Sequence, residues 1–125
     1  MQTFKKEERL TGKQAFEHVF QNGKTFTSFP FRFIWMASAT ATTLPVQLGI
    51  SVPKRSFAKA VTRNLLKRRI RESYRKNKHE LYEVLKKKNL TIELVTLYTA
   101  KEELAYSEIE KKMIVSLQKL AASLK

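Results

Sequence analysis

The sequence predicts an α+β fold in which helices pack against a mostly antiparallel four-stranded sheet. Two periodicities lead to this prediction: apolar residues recur every three or four positions in some segments and every second position in others. The segments follow one another in the order αβββαβα, which describes a two-layer sandwich. A chain of 125 residues is long enough for one hydrophobic core and short for two, so we expect a single domain over residues 1–125.

The N-terminal half is predicted to contain one helix and three strands. Apolar residues at helical spacing over 10–23 predict the first helix, with an Asn-Gly pair as its stop signal. Aromatic and β-branched residues over 24–27 and 31–36 predict two strands, separated by a proline that suits a strand edge. A polar turn region over 38–45 leads to apolar alternation over 46–52, which predicts a third strand with one buried face.

The C-terminal half is predicted to contain a basic helix, a strand and a final helix. The basic helix begins near Phe57 and continues to Asn89, with a weak point near Asn77. Apolar residues over 90–98 predict the fourth strand. An amphipathic helix ends the chain, and Ser107-Glu-Ile-Glu has the pattern of a capping box at its start.

Positive charge is concentrated in the middle of the chain. The formal net charge is +14, and residues 54–78 hold eleven Lys or Arg against one acid, a net +10 in 25 residues. Such a density costs self-repulsion, which a polyanion relieves when the cations displace its condensed counterions. The composition therefore indicates a nucleic-acid-binding protein.

The basic helix is amphipathic. Six of its polar residues fall within about 140° of arc at roughly 100° per residue: Arg63, Asn64, Lys67, Arg68, Arg71 and Arg75. Thr62, Arg69 and Ser73 interrupt the remaining arc. The remaining arc carries the residues expected to pack on the core: Ala58, Val61, Leu65, Leu66, Ile70 and Tyr74. A solvated charged helix would usually alternate opposite charges at i,i+4, whereas like charges recur here and destabilise the free helix by a few tenths of a kcal/mol per pair. The pattern therefore favours an external anion over a solvated surface.

Several classes of protein are disfavoured by composition. Cysteine is absent, which excludes disulfides and thiolate metal sites. No stretch approaches the ~18 apolar residues that a membrane span needs, and the N-terminus lacks an apolar signal region, so we expect a cytoplasmic protein without membrane association. The only histidines are His18 and His79, and no carboxylate cluster resembles a two-metal nuclease site. No catalytic residue and no metal-binding residue is predicted.

The basic helix also resembles a known signature. Residues 60–72, AVTRNLLKRRIRE, follow a strand ending Gly-Ile-Ser-Val and resemble the signature helix of the bacterial ribonuclease P protein component. Arg9, Leu10, Phe16, Phe20 and Gly23 also lie where that family places such residues. The resemblance covers nearly the whole chain, with one departure: the family commonly has Arg-Asn-Arg, and Leu65 replaces its last arginine.

The resemblance implies a protein subunit of an endoribonuclease. Such a protein binds a large catalytic RNA and assists removal of the 5′ leader from precursor tRNA, with the cleavage chemistry performed by the RNA. Mg²⁺ is then a cofactor bound mainly by the RNA subunit and the substrate, and no protein partner is evident. The resemblance further implies a left-handed crossover around the basic helix, contrary to the usual right-handed rule.

Candidate site residues follow from the resemblance and from side-chain chemistry. We expect the RNA subunit to be bound by the cationic helix and its entrance: Lys54, Arg55, Lys59, Arg63, Asn64, Lys67, Arg68 and Arg71. We expect the substrate leader to contact Phe16 and Phe20, since unpaired bases stack on aromatic side chains. The resemblance adds Ile34, an aliphatic residue at a position where the family frequently has an aromatic. The Phe pair at i,i+4 would equally suit a core, and a one-residue shift would bring Phe33 or Trp35 to the leader instead of Ile34.

Two other classes of nucleic-acid binder compete with this interpretation. A structural RNA-binding protein, such as a ribosomal protein, shares the size, the charge and the lack of catalytic residues. The pattern over residues 63–72 distinguishes the two. A DNA-binding helix would need a helix-turn-helix partner or a dimer seam, and strands flank the basic helix instead.

Overall fold

A computed structural model describes residues 8–38 and 44–124 of the chain. Most of the turn region predicted over 38–45 lies outside the described residues. The elements, in chain order, are α1 (Lys13–Asn22), β1 (Lys24–Ser28), β2 (Phe31–Ala37), β3 (Val46–Ser51), α2 (Ala60–Asn77), α3 (His79–Lys87), β4 (Ile92–Tyr98) and α4 (Tyr106–Leu124).

The four strands form one mixed sheet in the order β1-β2-β4-β3. The pairs β1/β2 and β2/β4 are antiparallel, and the pair β3/β4 is parallel. The predicted α+β class and the mostly antiparallel sheet are confirmed. A parallel neighbour pair needs a crossover connection, which α2 and α3 supply; the left hand of that crossover stays a prediction.

Each face of the sheet buries its own apolar cluster. Strand alternation directs Phe31 and Phe33 into the larger cluster, formed with α2, α3 and α4. Ile34 points to the opposite face, where it joins Leu10 and Val19 in a smaller cluster beneath α1. The short helix α1 therefore covers part of the face that the other helices leave open.

The basic helix is broken at the point where the sequence indicated weakness. The order is αβββααβα, not αβββαβα, because α2 ends at Asn77 and α3 begins at His79. The Asn77 side-chain amide donates to the Ser73 carbonyl (2.8 Å) and to the Glu110 carboxylate (3.2 Å). This amide ties the end of α2 to α4.

A buried ion pair lies next to this break. Lys78 Nζ donates to Glu8 Oε2 at 2.6 Å, with 9% and 4% of the two side chains exposed. The Tyr82 hydroxyl donates to the same oxygen at 2.7 Å, and the Tyr74 hydroxyl donates to Tyr82 at 3.1 Å. Removing one partner of a buried pair leaves an uncompensated charge and typically costs about 3–5 kcal/mol, so this network fixes the N-terminal segment against α2 and α3.

Two predicted helix starts are wrong. Helix α2 begins at Ala60 rather than near Phe57, because Phe57 forms a turn in which its N–H donates to the Pro53 carbonyl (3.1 Å). Helix α4 begins one residue before Ser107, and the Ala105 carbonyl accepts the first helical bonds. The proposed capping box therefore does not form.

Gly23 provides a stability test of the contact between α1 and β2. A Cβ there would lie 2.6 Å from the Val19 carbonyl oxygen and 2.8 Å from Ile34 Cγ2. Gly23→Ala therefore forces backbone atoms apart, and we expect the free energy of unfolding in urea to fall by about 1–3 kcal/mol. The control is Gln21→Ala at an exposed position of α1, which we expect to stay within about 0.5 kcal/mol. Equal stability of the two variants would contradict the close packing at Gly23.

Candidate nucleic-acid interface

Helix α2 docks on the sheet through the middle and end of its apolar side. Leu66, Ile70 and Tyr74 are fully buried. Val61, predicted to pack on the core, is 80% exposed, because the first turn of α2 precedes the part of the helix that is buried. The opposite side of the helix faces solvent.

Seven of the eight predicted RNA-binding residues divide into two groups, and the eighth, Arg63, is half-buried in the first turn of α2. One group forms an exposed row along α2 and the loop that precedes it: Lys54, Arg55, Lys59, Asn64 and Arg68. Lys67 and Arg71 are instead half-buried, at the side of α2 that faces β3 and α1. The exposed row, on α2 and the loop before it, thus lies next to the half-buried pair on α2.

Three arginines of α2 have partners within the protein. Arg63 donates to the carbonyls of Phe57 and Ala58, each at 2.8 Å, and so holds the loop at the helix entrance. Arg69 donates to the Leu104 carbonyl at 2.7 Å on the side facing α4. Arg75 pairs with Glu72. The role of Arg63 is therefore partly structural, although its guanidinium has further donors.

A groove lies between α1, β3 and α2, with a volume of about 230 Å³. Its lining includes Phe16, Lys67, Arg71 and Arg9. A Cβ on Gly49 would lie 2.5 Å from Phe16 Cζ, so the missing side chain lets the Phe16 ring approach the β3 backbone. The groove combines an aromatic surface with three cations, which suits a nucleotide.

The cations of this groove are close enough to perturb one another. Burial and the guanidinium groups of Arg9 and Arg68 lower the pKa of Arg71. Arg71 stays protonated at neutral pH, since an arginine pKa lies far above 7. Beyond the effect of burial, the two neighbouring guanidinium groups disfavour the charged form of Arg71, and a bound anion would offset this repulsion.

The candidate leader residues occupy three different environments. Phe20 is 44% exposed on α1, and Phe16 is half-buried in the groove. Ile34 lies on the α1 side of the sheet but is only 2% exposed, so its assignment as a direct leader contact is wrong. Phe33 is fully buried on the opposite face, which rules out the alternative register. Trp35 shares that opposite face, with Lys24 Nζ 5.4 Å from its ring centroid.

A second basic groove was missed by sequence reasoning. It has a volume of about 550 Å³ and lies where β4 and β3 end and β2 begins. Arg32, Arg55 and Lys101 contribute positive charge to its lining, and Ser56 and Thr99 contribute hydroxyls. Arg32 could have been found, because strand alternation places it on the α1 side of the sheet. Lys101 carries no local signal, and Arg9 entered the family resemblance without a site role, because only the tertiary fold brings the two residues to the grooves.

Neither histidine lies in a cluster of acidic residues. His18 is exposed and hydrogen-bonds with the side chain of Asn22 (3.3 Å). His79 is exposed and lies 3.0 Å from the Glu83 carboxylate, one turn along α3. Across residues 8–38 and 44–124, no three His, Cys, Asp or Glu side chains come together as metal ligands.

The fold and this surface define a class of protein. A mixed sheet presents a basic helix beside an aromatic groove, in a chain with a formal charge of +14. These are the features of a small nucleic-acid-associated α+β protein.

Comparison with known proteins narrows the class to a family. The model of the family Ribonuclease P matches residues 4–121. The ribonuclease P protein component of Porphyromonas gingivalis is 31% identical over 118 residues, which cover 94% of this chain and 86% of that protein. The chain belongs to the ribonuclease P protein family, and its role is that of a subunit in tRNA processing.

Solved structures share the fold. The RNase P protein of Staphylococcus aureus has a TM-score of 0.73 at 21% identity, covering 96% of this chain and all of that one (100%). The RNase P protein from Thermotoga maritima has a TM-score of 0.70 at 23% identity, covering 89% of this chain and 96% of that one.

Every helix within the described ranges is too short or too polar to cross a bilayer.

Proposed function

We propose that this chain, acting as one RNA-binding domain, binds the catalytic RNA subunit of ribonuclease P and the 5′ leader of precursor tRNA. It thereby assists the endonucleolytic cut that produces the mature 5′ end. The observation that carries the proposal is the groove in which Phe16 lies beside Lys67 and Arg71, next to the exposed cationic row of α2. Family membership supplies the reaction in which such a surface would act.

The exposed row of α2 is assigned to the RNA subunit. Arg68 and Arg55 can grip phosphates through paired donors, while Lys54 and Lys59 act as point charges. Asn64 is exposed on the same row and can bond to a ribose hydroxyl or a base edge. The row contains no acid, so a folded RNA meets a continuous positive surface.

The aromatic surface along α1 is assigned to the leader. Phe20 exposes enough of its ring to stack on an unpaired base, which is worth about 1–3 kcal/mol per base. Phe16 extends this surface to the opposite wall of the groove, where Lys67 and Arg71 are assigned to phosphates of the RNA subunit. Ile34 packs in the smaller apolar cluster beneath α1 and does not contact RNA.

The second groove extends the substrate surface across the sheet. Arg55 belongs both to the exposed row and to the groove that Arg32 and Lys101 line. A sugar–phosphate backbone leaving α2 would therefore meet further cations on the sheet. We assign this groove to the backbone of the precursor.

Cleavage chemistry is assigned to the RNA subunit with its Mg²⁺. The linings of both grooves are cationic, which does not fit a Mg²⁺ ion held in either of them by the protein. The protein contributes positive charge and stacking surface, which hold substrate and ribozyme together.

Reconstitution tests the proposal directly. A bacterial ribonuclease P RNA is incubated with precursor tRNA at low Mg²⁺, with and without this protein. We expect the protein to restore cleavage at the 5′ leader junction and to cleave nothing on its own. Binding of the RNA without rescue would indicate a structural RNA-binding protein, and cleavage by the protein alone would overturn the assignment of catalysis to RNA.

Two adjacent arginines give a matched test of the RNA-facing row. Arg68→Ala removes an exposed cation, so we expect RNA affinity to fall roughly tenfold and the salt dependence of binding to lose about 0.9 in log–log slope. Arg69→Ala removes the same charge but breaks the bond to the Leu104 carbonyl, so we expect lower stability with an unchanged slope. Filter binding between 50 and 200 mM salt, roughly the range in which such slopes are measured, distinguishes the two. Identical slopes would contradict the orientation of the row.

Phe20 tests leader stacking. Phe20→Leu keeps an apolar side chain but removes the ring, so we expect weaker binding of precursor tRNA by about 1 kcal/mol or more in the presence of the RNA subunit. Mature tRNA, which lacks a leader, should bind as before. The control is Val115→Ala on α4, where a side chain of similar exposure, 42% against 44%, is shortened far from α1. An equal loss for precursor and mature tRNA would assign Phe20 to fold stability.

A further inference from the structure

Residues 8–11 form an N-terminal strap along the edge of the sheet. The strap alternates in direction: Glu8 and Leu10 are buried, at 3% and 7% exposed, and Arg9 between them is exposed. Glu8 lies in a 3₁₀ turn, and the chain becomes extended at Arg9, where it pairs with β3. Two buried residues therefore fix the direction in which one exposed arginine points.

The strap is attached to β3, which is an edge strand. The Leu10 N–H donates to the Leu48 carbonyl at 2.8 Å, and Arg9 forms an isolated parallel bridge with Leu48. Leu10 also packs in the small cluster with Val19 and Ile34. One short bridge is a weak attachment on its own, because an isolated pairing gains little over bonds to water.

Glu8 supplies the second attachment. Its carboxylate accepts from Lys78 Nζ at 2.6 Å and from the Tyr82 hydroxyl at 2.7 Å. Burial, with the neighbouring Tyr74 and Glu8, raises the pKa of Tyr82, so this phenol stays protonated and remains a donor. The strap is thus held by a charged bond at a site from which water is largely excluded.

The attached strap places Arg9 where positive charge is already dense. Arg9 lines the groove between α1, β3 and α2 together with Lys67 and Arg71. It is also near enough to Arg71 to disfavour the protonated form of that group. Bringing a third cation into this groove costs free energy in the unbound protein, and a phosphate between the cations would reverse the sign of that cost.

We infer that Glu8 is a positioning residue: its buried ion pair with Lys78 holds Arg9 in the groove beside Lys67 and Arg71, where Arg9 binds a phosphate of the RNA. This inference rests on the proposed function, because it assumes that the groove receives RNA. Arg9 is then a direct contact of the RNA. Glu8, which is buried, acts on RNA binding only through Arg9. Buried ion pairs are weak evidence for stability, and their better-attested use is to specify one arrangement.

Long-range charge attraction and the positioning of Arg9 predict opposite effects of Glu8→Gln on RNA affinity. Glu8→Gln raises the formal net charge of +14 by one, so long-range attraction alone would strengthen RNA binding. Loss of the ion pair would instead release the strap and remove one phosphate contact. We therefore expect Glu8→Gln to weaken binding of a bacterial ribonuclease P RNA transcript about threefold to tenfold, with a salt slope lower by about one contact.

A double-mutant cycle separates positioning from a general loss of stability. Arg9→Gln should weaken binding of the same RNA by a similar factor. If Glu8 acts through Arg9, then Glu8→Gln should have no further effect on RNA affinity in the Arg9→Gln background. A fold that is merely loosened would lose affinity in both backgrounds, so a persistent effect would overturn the inference.

Tyr82→Phe provides a milder variant if Glu8→Gln does not fold. It keeps the ring and the ion pair and removes only the hydroxyl, which donates to Glu8 and accepts from Tyr74. We expect a smaller loss of RNA affinity that also disappears in the Arg9→Gln background, with circular dichroism confirming a folded protein. Normal RNA affinity in both folded variants would overturn the inference and leave the proposed function intact. Failure of the unsubstituted protein to bind the transcript would overturn both.

Discussion

Burial of one side of α2 is the interaction on which the rest of the molecule depends. Leu66, Ile70 and Tyr74 are fully buried, and each such side chain contributes about 1.5–3 kcal/mol. Like charges at i,i+4 on the other side, such as Lys67 and Arg71, cost only a few tenths of a kcal/mol per pair. Packing therefore outweighs repulsion by several fold, and the fold can hold positive charge in a fixed row without a partner present.

Most of the fold follows from local patterns, and the exceptions depend on bonds that apolar periodicity does not report. The strands and helices were predicted because their apolar periods are intact, and the break near Asn77 was visible as a weak point. The start of α2 and the Ser107 capping box were predicted wrongly, because short-range bonds decided them: Arg63 holds the loop before α2, and the Ala105 carbonyl accepts the first helical bonds of α4. The parallel pairing of β3 with β4 is a long-range feature for which the residues alone give no local sign.

The position of the candidate site was predictable where a single helix carries it. Spacing on α2 placed Lys67, Arg68 and Arg71 on its polar side, and in the structure Arg68 is exposed while Lys67 and Arg71 are half-buried in the groove. Prediction failed where two elements meet. The side chain of Ile34 points to the predicted face of the sheet, but α1 covers it. Arg9 lies near α2 only because the strap pairs with β3. Direction along a strand is a local property, whereas cover by another element is not, so exposure could not be derived from the strand pattern.

The contact of Phe16 with Gly49 has a consequence for how two ligands would communicate. The ring that would meet the leader and the side chains of Lys67 and Arg71 form the walls of one groove. Under the proposed function, occupancy by either RNA changes the surface offered to the other. Linkage then requires reciprocity: the factor by which the ribozyme tightens the hold on the leader equals the factor by which the leader tightens the hold on the ribozyme. Gly49 on β3 would thus help the subunit to couple the binding of one RNA to the binding of the other, in addition to holding both.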